Sequence, residues 1–134
     1  MNLEHKPIVC IDFDGVIHSY EFGWQDGEIY GTVVDGFWYW AENAVKHFQL
    51  VVFSSRLRNA NGAVEIDRWL NKQWDKYCHD TNLIRPMPEL QFSYSKPPAL
   101  VTIDDRAMTF NGDWFDPSLT PEAIGNFTPW MMRK

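Results

Sequence analysis

Two aspartates, Asp12 and Asp14, stand two residues apart where an otherwise apolar run ends. A carboxylate in such a place is costly to bury unless a cation or a network of donors compensates it. An Asp at a strand end also commonly does no more than start a turn, so the pair gains meaning from the polar residues placed later in the chain. Ser54, Ser55 and Arg56 close a second apolar run, Lys96 precedes a third, and Asp104 with Asp105 closes that one. A hydroxyl can donate to a phosphoryl oxygen, an ammonium can offset developing negative charge, and carboxylates can hold a hard cation such as Mg²⁺ through oxygen ligands. The candidate cation ligands are Asp12, Asp14, Asp104 and Asp105, and the candidate phosphate contacts are Ser54, Ser55 and Lys96. Arg56 fits a substrate phosphate and a structural carboxylate equally well. Gathered at one place, these types make a phosphoryl-transfer centre.

What would gather them is an alternation of strands and helices. Residues 8–13 are apolar and β-branched around Asp12, which reads as a buried strand running into a loop at Asp14 and Gly15. From 15 to 36 five glycines and scattered aromatics suggest a β-hairpin flap rather than a helix. Asp35 is a plausible N-cap for a helix over 37–48, where Phe37, Trp40, Ala41, Ala44, Val45 and Phe48 follow helical spacing. A strand over 50–53, a loop over 59–62 and a second helix over 63–77, patterned by Val64, Ile66, Trp69, Leu70, Trp74 and Tyr77, come next. Short strands are expected around 90–92 and 100–103, a closing strand near 108–110 and a short helix near 121–124. Such alternation implies an α/β fold: a parallel, Rossmann-like sheet in three layers, with helices on both faces. Every acidic and hydroxyl candidate then falls at the carboxyl ends of strands, where open α/β sheets bind ligands.

Composition bounds the possibilities. With 134 residues, 45% hydrophobic and 22% charged, the chain suits a single globular domain spanning 1–134. Seven Trp and nine Phe require a strongly aromatic core or cleft rim. A net charge of −6 argues against a protein that grips nucleic acid along its backbone. Cys10 and Cys78 make no disulfide framework and suit a reducing compartment as two buried thiols. The start MNLEHKP lacks an apolar leader, and no run is long enough to span a membrane, so a cytoplasmic location with no membrane partner is expected.

The segments IDFDGV, VVFSSR, SKPPALV and TIDDRA resemble, in order and spacing, the four motifs of the haloacid dehalogenase-like (HAD-like) hydrolase superfamily, over roughly residues 8–110. The resemblance implies a phosphatase that hydrolyses phosphate monoesters with Mg²⁺ as its cofactor. Asp12 would be the nucleophile that becomes an aspartyl-phosphate. Asp14 would be the general acid and base, lending its backbone carbonyl to the metal. It also implies that Ser54 or Ser55 binds the phosphate, that Lys96 holds nucleophile and phosphate together, and that Asp104 and Asp105 complete the metal site. No insertion is large enough for a cap domain, so the chain resembles the small capless members, whose open sites admit bulky substrates or rely on a neighbouring subunit in a homo-oligomer.

The stretch DDRAMTFNGDW is similar to the phosphatase half of polynucleotide kinase, which points to a nucleotide or a nucleic-acid end beside other small phosphate esters as substrate. His18, Tyr20, Phe22 and Trp24 in the flap, and Arg58 and Arg106 beside the motifs, are candidate specificity residues. Aromatics there suit stacking on a base or stapling the flap. Two non-enzymatic alternatives use the same residue types: a non-catalytic phosphate-binding module, and a receiver-like signalling domain, which would carry its acidic pair after the first strand rather than last.

Overall fold

The computed structural model describes residues 6–132, so the first five and last two residues of the expected 1–134 domain, with most of the N-terminal start, lie outside the described residues. Four strands, β1 (Ile8–Asp12), β2 (Gln49–Phe53), β3 (Gln91–Ser93) and β4 (Val101–Ile103), form one parallel sheet in the order β3-β2-β1-β4. Three helices accompany it: α1 (Phe37–Ala44), α2 (Gly62–Thr81) and α3 (Pro121–Gly125). The architecture is α/β with a Rossmann-like strand order. No described helix is long and apolar enough to cross a membrane.

Strand alternation decides which residues form the core. Val9, Ile11 and Phe13 project to one side of β1, and the register of β1 with β2 aligns Leu50 and Val52 beside them. On this face α1 contributes Phe37, Trp38, Ala41 and Ala44, and α2 contributes Ile66, Trp69, Leu70, Trp74 and Cys78, all to one buried cluster. Trp38 meets Trp74 edge-on at 5.1 Å and Phe13 meets Trp69 at 5.4 Å, so three of the seven Trp sit in the core. Both cysteines are buried free thiols.

Helices on both faces were expected, but α1 and α2 share one. The chain steps from β1 to β2 to β3 in one direction, and right-handed crossovers in one direction leave their helices on the same side. The return from β3 to β4 must pass the opposite face, and residues 94–100 are too few to include a helix on the way. That extended crossing lies on the side of Cys10 and Val51, which are buried without belonging to the helical core.

Four local readings need correction. Residues 15–36 form no regular hairpin: Ser19 N–H donates to the Thr32 carbonyl, Val34 N–H donates to the Ile17 carbonyl, and a single bridge joins His18 to Val33. Side chains hold the rest of that loop, so it has no need of a ladder. Residues 108–110 make no strand. Gly36, not Asp35, occupies the cap position of α1, with a left-handed φ of 89°. Finally α1 stops at Ala44, where the next turn tightens to Ala44 carbonyl bonds from His47 and Phe48, whereas α2 runs on to Thr81 and ends at left-handed Asn82.

Leu70 is fully buried between α2 and the sheet. Leu70→Ala should lower unfolding free energy by about 3 kcal/mol, measured by urea denaturation, while exposed Val64→Ala on the same helix should change it by under about 1 kcal/mol.

Candidate active site

Parallel register assembles the acidic cluster. Ile11 pairs with Ile103, so the next residues along bring Asp104 level with Asp12 at the carboxyl edge, while Asp12 pairs with Phe53 on its other side and Ser54 follows one residue later. Carboxylate oxygens of Asp12, Asp104 and Asp105 all lie within 4.8 Å of one another. Asp104 is exposed, and its Oδ1 accepts the Arg106 N–H at 2.8 Å, which tightens the turn after β4. That turn drives Asp105 inward: its side chain is 2% exposed, yet neither carboxylate oxygen receives a hydrogen bond. Arg106, itself largely exposed, approaches Asp105 only to 3.8 Å.

Gly15 makes this packing possible. It has a φ of +84°, and a Cβ built on it would collide with Asp105 Oδ2, so a side chain fails there on both conformation and space. Its carbonyl accepts the Trp130 indole N–H at 2.6 Å, which ties the C-terminal segment to the loop after β1. The indole N–H of Trp130 is therefore held by its own chain, while the residue stays 46% exposed.

Crowded carboxylates shift one another. Burial, followed by the negative charges of Asp104 and Asp105, pushes the Asp12 pKa up to about 8. Burial likewise raises Asp105. Asp14 behaves in the opposite way. Burial acts to raise it, but hydrogen bonds from His18 and Arg56 outweigh that and hold it below the usual carboxylate range.

Asp14 is not part of the cluster through its side chain. Its Oδ2 accepts Arg56 Nε at 2.8 Å, and its Oδ1 accepts Arg56 Nη2 at 3.0 Å and faces His18 Nδ1 at 2.9 Å. Arg56 is almost fully buried, donates through Nη1 to the Gly27 carbonyl and lies 4.7 Å from the Trp24 ring centre. Arg56 thus pairs with a carboxylate of its own chain, that of Asp14. Ser54 is 3% exposed and its Oγ accepts the Arg56 N–H at 3.2 Å, capping the 3-10 turn Ser55–Arg58, whereas Ser55 is exposed. Lys96 is exposed on the 94–100 crossing and makes no hydrogen bond or ion pair among the described residues, although its charge acts on the buried Cys10 thiol.

Among the specificity candidates, Trp24 faces Arg56, and Tyr20 and Tyr30 flank His18. Phe22, Arg58 and Arg106 are exposed. His18 is the residue whose position sequence reasoning missed: it is fully buried against Asp14, not displayed to a ligand. Its spacing of four from Asp14 across a glycine turn was the available signal.

A buried carboxylate without a donor, beside two more carboxylates, fits a hard divalent cation bound by Asp12, Asp104 and Asp105. No family model matches the chain, and no curated protein or solved structure matches it significantly.

The raised Asp12 means that the folded chain keeps a proton that the unfolded chain releases near pH 4. Without a cation, stability is therefore highest below about pH 4 on this group's account and falls as pH rises toward about 8. Asp14 runs the other way, its contribution being lost only on acidification below its ordinary value near 4. Differential scanning fluorimetry should show Mg²⁺ raising Tm clearly at about pH 8 and little at about pH 5. Asp105→Asn should raise the cation-free Tm at about pH 8 and shrink the Mg²⁺ response.

Proposed function

We propose that this chain is a Mg²⁺-dependent phosphatase that hydrolyses a phosphate monoester through an aspartyl-phosphate on Asp12. The observation that carries the reading is the buried, donor-less Asp105 packed with Asp12 and Asp104 at the carboxyl edge of a parallel sheet. The resemblance of IDFDGV, VVFSSR, SKPPALV and TIDDRA to the motifs of HAD-like hydrolases supports the same assignment.

Asp12, Asp104 and Asp105 would hold the cation, with the Asp14 backbone carbonyl as a further ligand. When bound, Mg²⁺ would offset the repulsion between an attacking carboxylate and a phosphoryl group. Asp12 would attack phosphorus in line while the ester oxygen leaves and takes up a proton. Ser54, at the end of β2, is the nearer of the two serines to Asp12 in register and is the better donor to a phosphoryl oxygen. Lys96, free of other partners among the described residues, is available to neutralise the transferring group.

Asp14 rests as a carboxylate. In that form it suits the second half of the reaction directly, taking a proton from the water that hydrolyses the aspartyl-phosphate. Donating a proton in the first half requires that it be protonated against its Arg56 pair. The loop over 15–36 is too small to seal the site, so the reading extends to small phosphate esters, nucleotides foremost, and to a nucleic-acid end; cytoplasmic localisation and a homo-oligomer belong to the same proposal.

A phosphate-binding module without turnover is the second reading, favoured by that same Arg56–Asp14 pair, which occupies the general acid. A receiver is not favoured, since the order β3-β2-β1-β4 differs from the 2-1-3-4-5 order of receiver domains.

Purified protein assayed against nucleotides, sugar phosphates and 3′-phosphorylated oligonucleotides should release phosphate with Mg²⁺ and not with EDTA. Asp12→Asn should reduce kcat by at least about 1,000-fold. Binding of Mg²⁺ and phosphate analogues with no turnover of any ester would instead select the binding module.

A further inference from the structure

We propose that His18 is a positioning residue for Asp14, and that it couples the orientation of this proposed acid and base to the loop over 15–36; the inference rests on the phosphatase reading. His18 is 0% exposed. Its ring is enclosed by Phe13, stacked at 5.7 Å, and by Trp69, Tyr20 and Tyr30 in edge contacts between 5.1 and 5.9 Å. Such a pocket permits essentially one ring orientation.

The two ring nitrogens have different tasks. Gly31 N–H points at Nε2 at 3.0 Å, and a backbone N–H can only donate, so Nε2 must be the unprotonated acceptor. The ring proton is therefore on Nδ1, which donates to Asp14 Oδ1 at 2.9 Å. A doubly protonated ring would set a second N–H against that of Gly31. His18 thus serves as a neutral donor of fixed tautomer, anchored at one end by the loop and directed at Asp14 by the other.

Close approach at Gly31 is built in. A Cβ there would stand 2.8 Å from His18 Nε2 and would collide with Ser19 Oγ. The Gly31 carbonyl in turn accepts the Trp69 indole N–H at 3.1 Å, which fixes this point of the loop to α2. The other partner of Asp14, Arg56, is anchored on the same loop at the Gly27 carbonyl. Both hydrogen-bond routes into the Asp14 carboxylate therefore pass through residues 27–31. A shift of that segment must turn or loosen the carboxylate, and proton transfer is sensitive to such misplacement.

A buried histidine that only fills the core is the competing explanation, and side-chain replacements separate the two. His18→Asn can return an N–H to the Nδ1 position but not an acceptor to Gly31. His18→Gln can return the acceptor but not the donor to Asp14. His18→Leu returns neither. The readout is kcat/KM at one pH for an alkyl phosphate, whose leaving group needs a proton, and for p-nitrophenyl phosphate, whose leaving group does not, with Tm measured for each variant.

A positioning role predicts that His18→Gln and His18→Leu lose about 100-fold on the alkyl ester and under about 5-fold on the aryl ester, with His18→Asn recovering most of the alkyl activity. Equal losses on both esters, following Tm alone, overturn it. Nitrogen-15 NMR of the wild-type ring tests it without turnover: an Nδ1–H, Nε2-unprotonated signal is expected, and an Nε2–H ring or an imidazolium overturns it. Wild-type protein that hydrolyses neither ester overturns the phosphatase reading and the role of His18 in it together, an outcome distinct from active protein with uniform losses.

Discussion

Like charges brought close, with one of them denied solvent, are the constraint on which the site depends. Asp12, Asp104 and Asp105 converge within 4.8 Å, and Asp105 is enclosed without a donor. No arrangement of three ionised carboxylates is stable in such a place unless a proton or a cation intervenes. The fold supplies protons when no cation is present, as the raised Asp12 and Asp105 indicate. A divalent cation would satisfy the same oxygens without removing the negative charge that the proposed nucleophile needs.

Around that cluster the chain spends its order on orientation. Parallel register sets Asp12 beside Asp104, Gly15 lets the loop after β1 lie against Asp105, and the crossing over 94–100 carries Lys96 near enough for its charge to act on Cys10. Asp14 is treated differently from its neighbour two residues away. Strand alternation alone would keep residues 12 and 14 on one face, but β1 ends at Asp12 and the turn through Gly15 brings the Asp14 side chain to Arg56 and His18, so two aspartates of one short motif acquire opposite pKa shifts. Divergent environments of this kind are what the proposed division into nucleophile and proton carrier would require.

The strands and the acidic cluster were legible because both depend on short-range patterns. Apolar runs closed by polar residues located β1, β2, β3 and β4 to within a residue or so, and the aspartates closing β1 and β4 are the three that cluster. What the sequence left hidden depends on tertiary contact. Helical spacing turned Trp40 inward, whereas Trp38 is the one buried, because Trp74 of α2 packs edge-on against it. Glycines and aromatics over 15–36 suggested a hairpin, yet the loop is held by Arg56 and Trp69 reaching across from other elements and by its own His18 ring bonded to Gly31. Alternating strands and helices implied cover on both faces, but α1 and α2 pack into one core and the connection between β3 and β4 has no room for a helix. Arg56 could be read two ways until Asp14 was found opposite it.

The central claim is that Asp12 carries the phosphoryl group, and the most direct measurement is chemical trapping. Rapid-quenched turnover of a phosphate ester with Mg²⁺, followed by borohydride reduction and peptide mapping, should convert Asp12 to homoserine and leave Asp14, Asp104 and Asp105 unmodified. Phosphate release at an undiminished rate with Asp12 never labelled, or a label on another residue, would contradict the account.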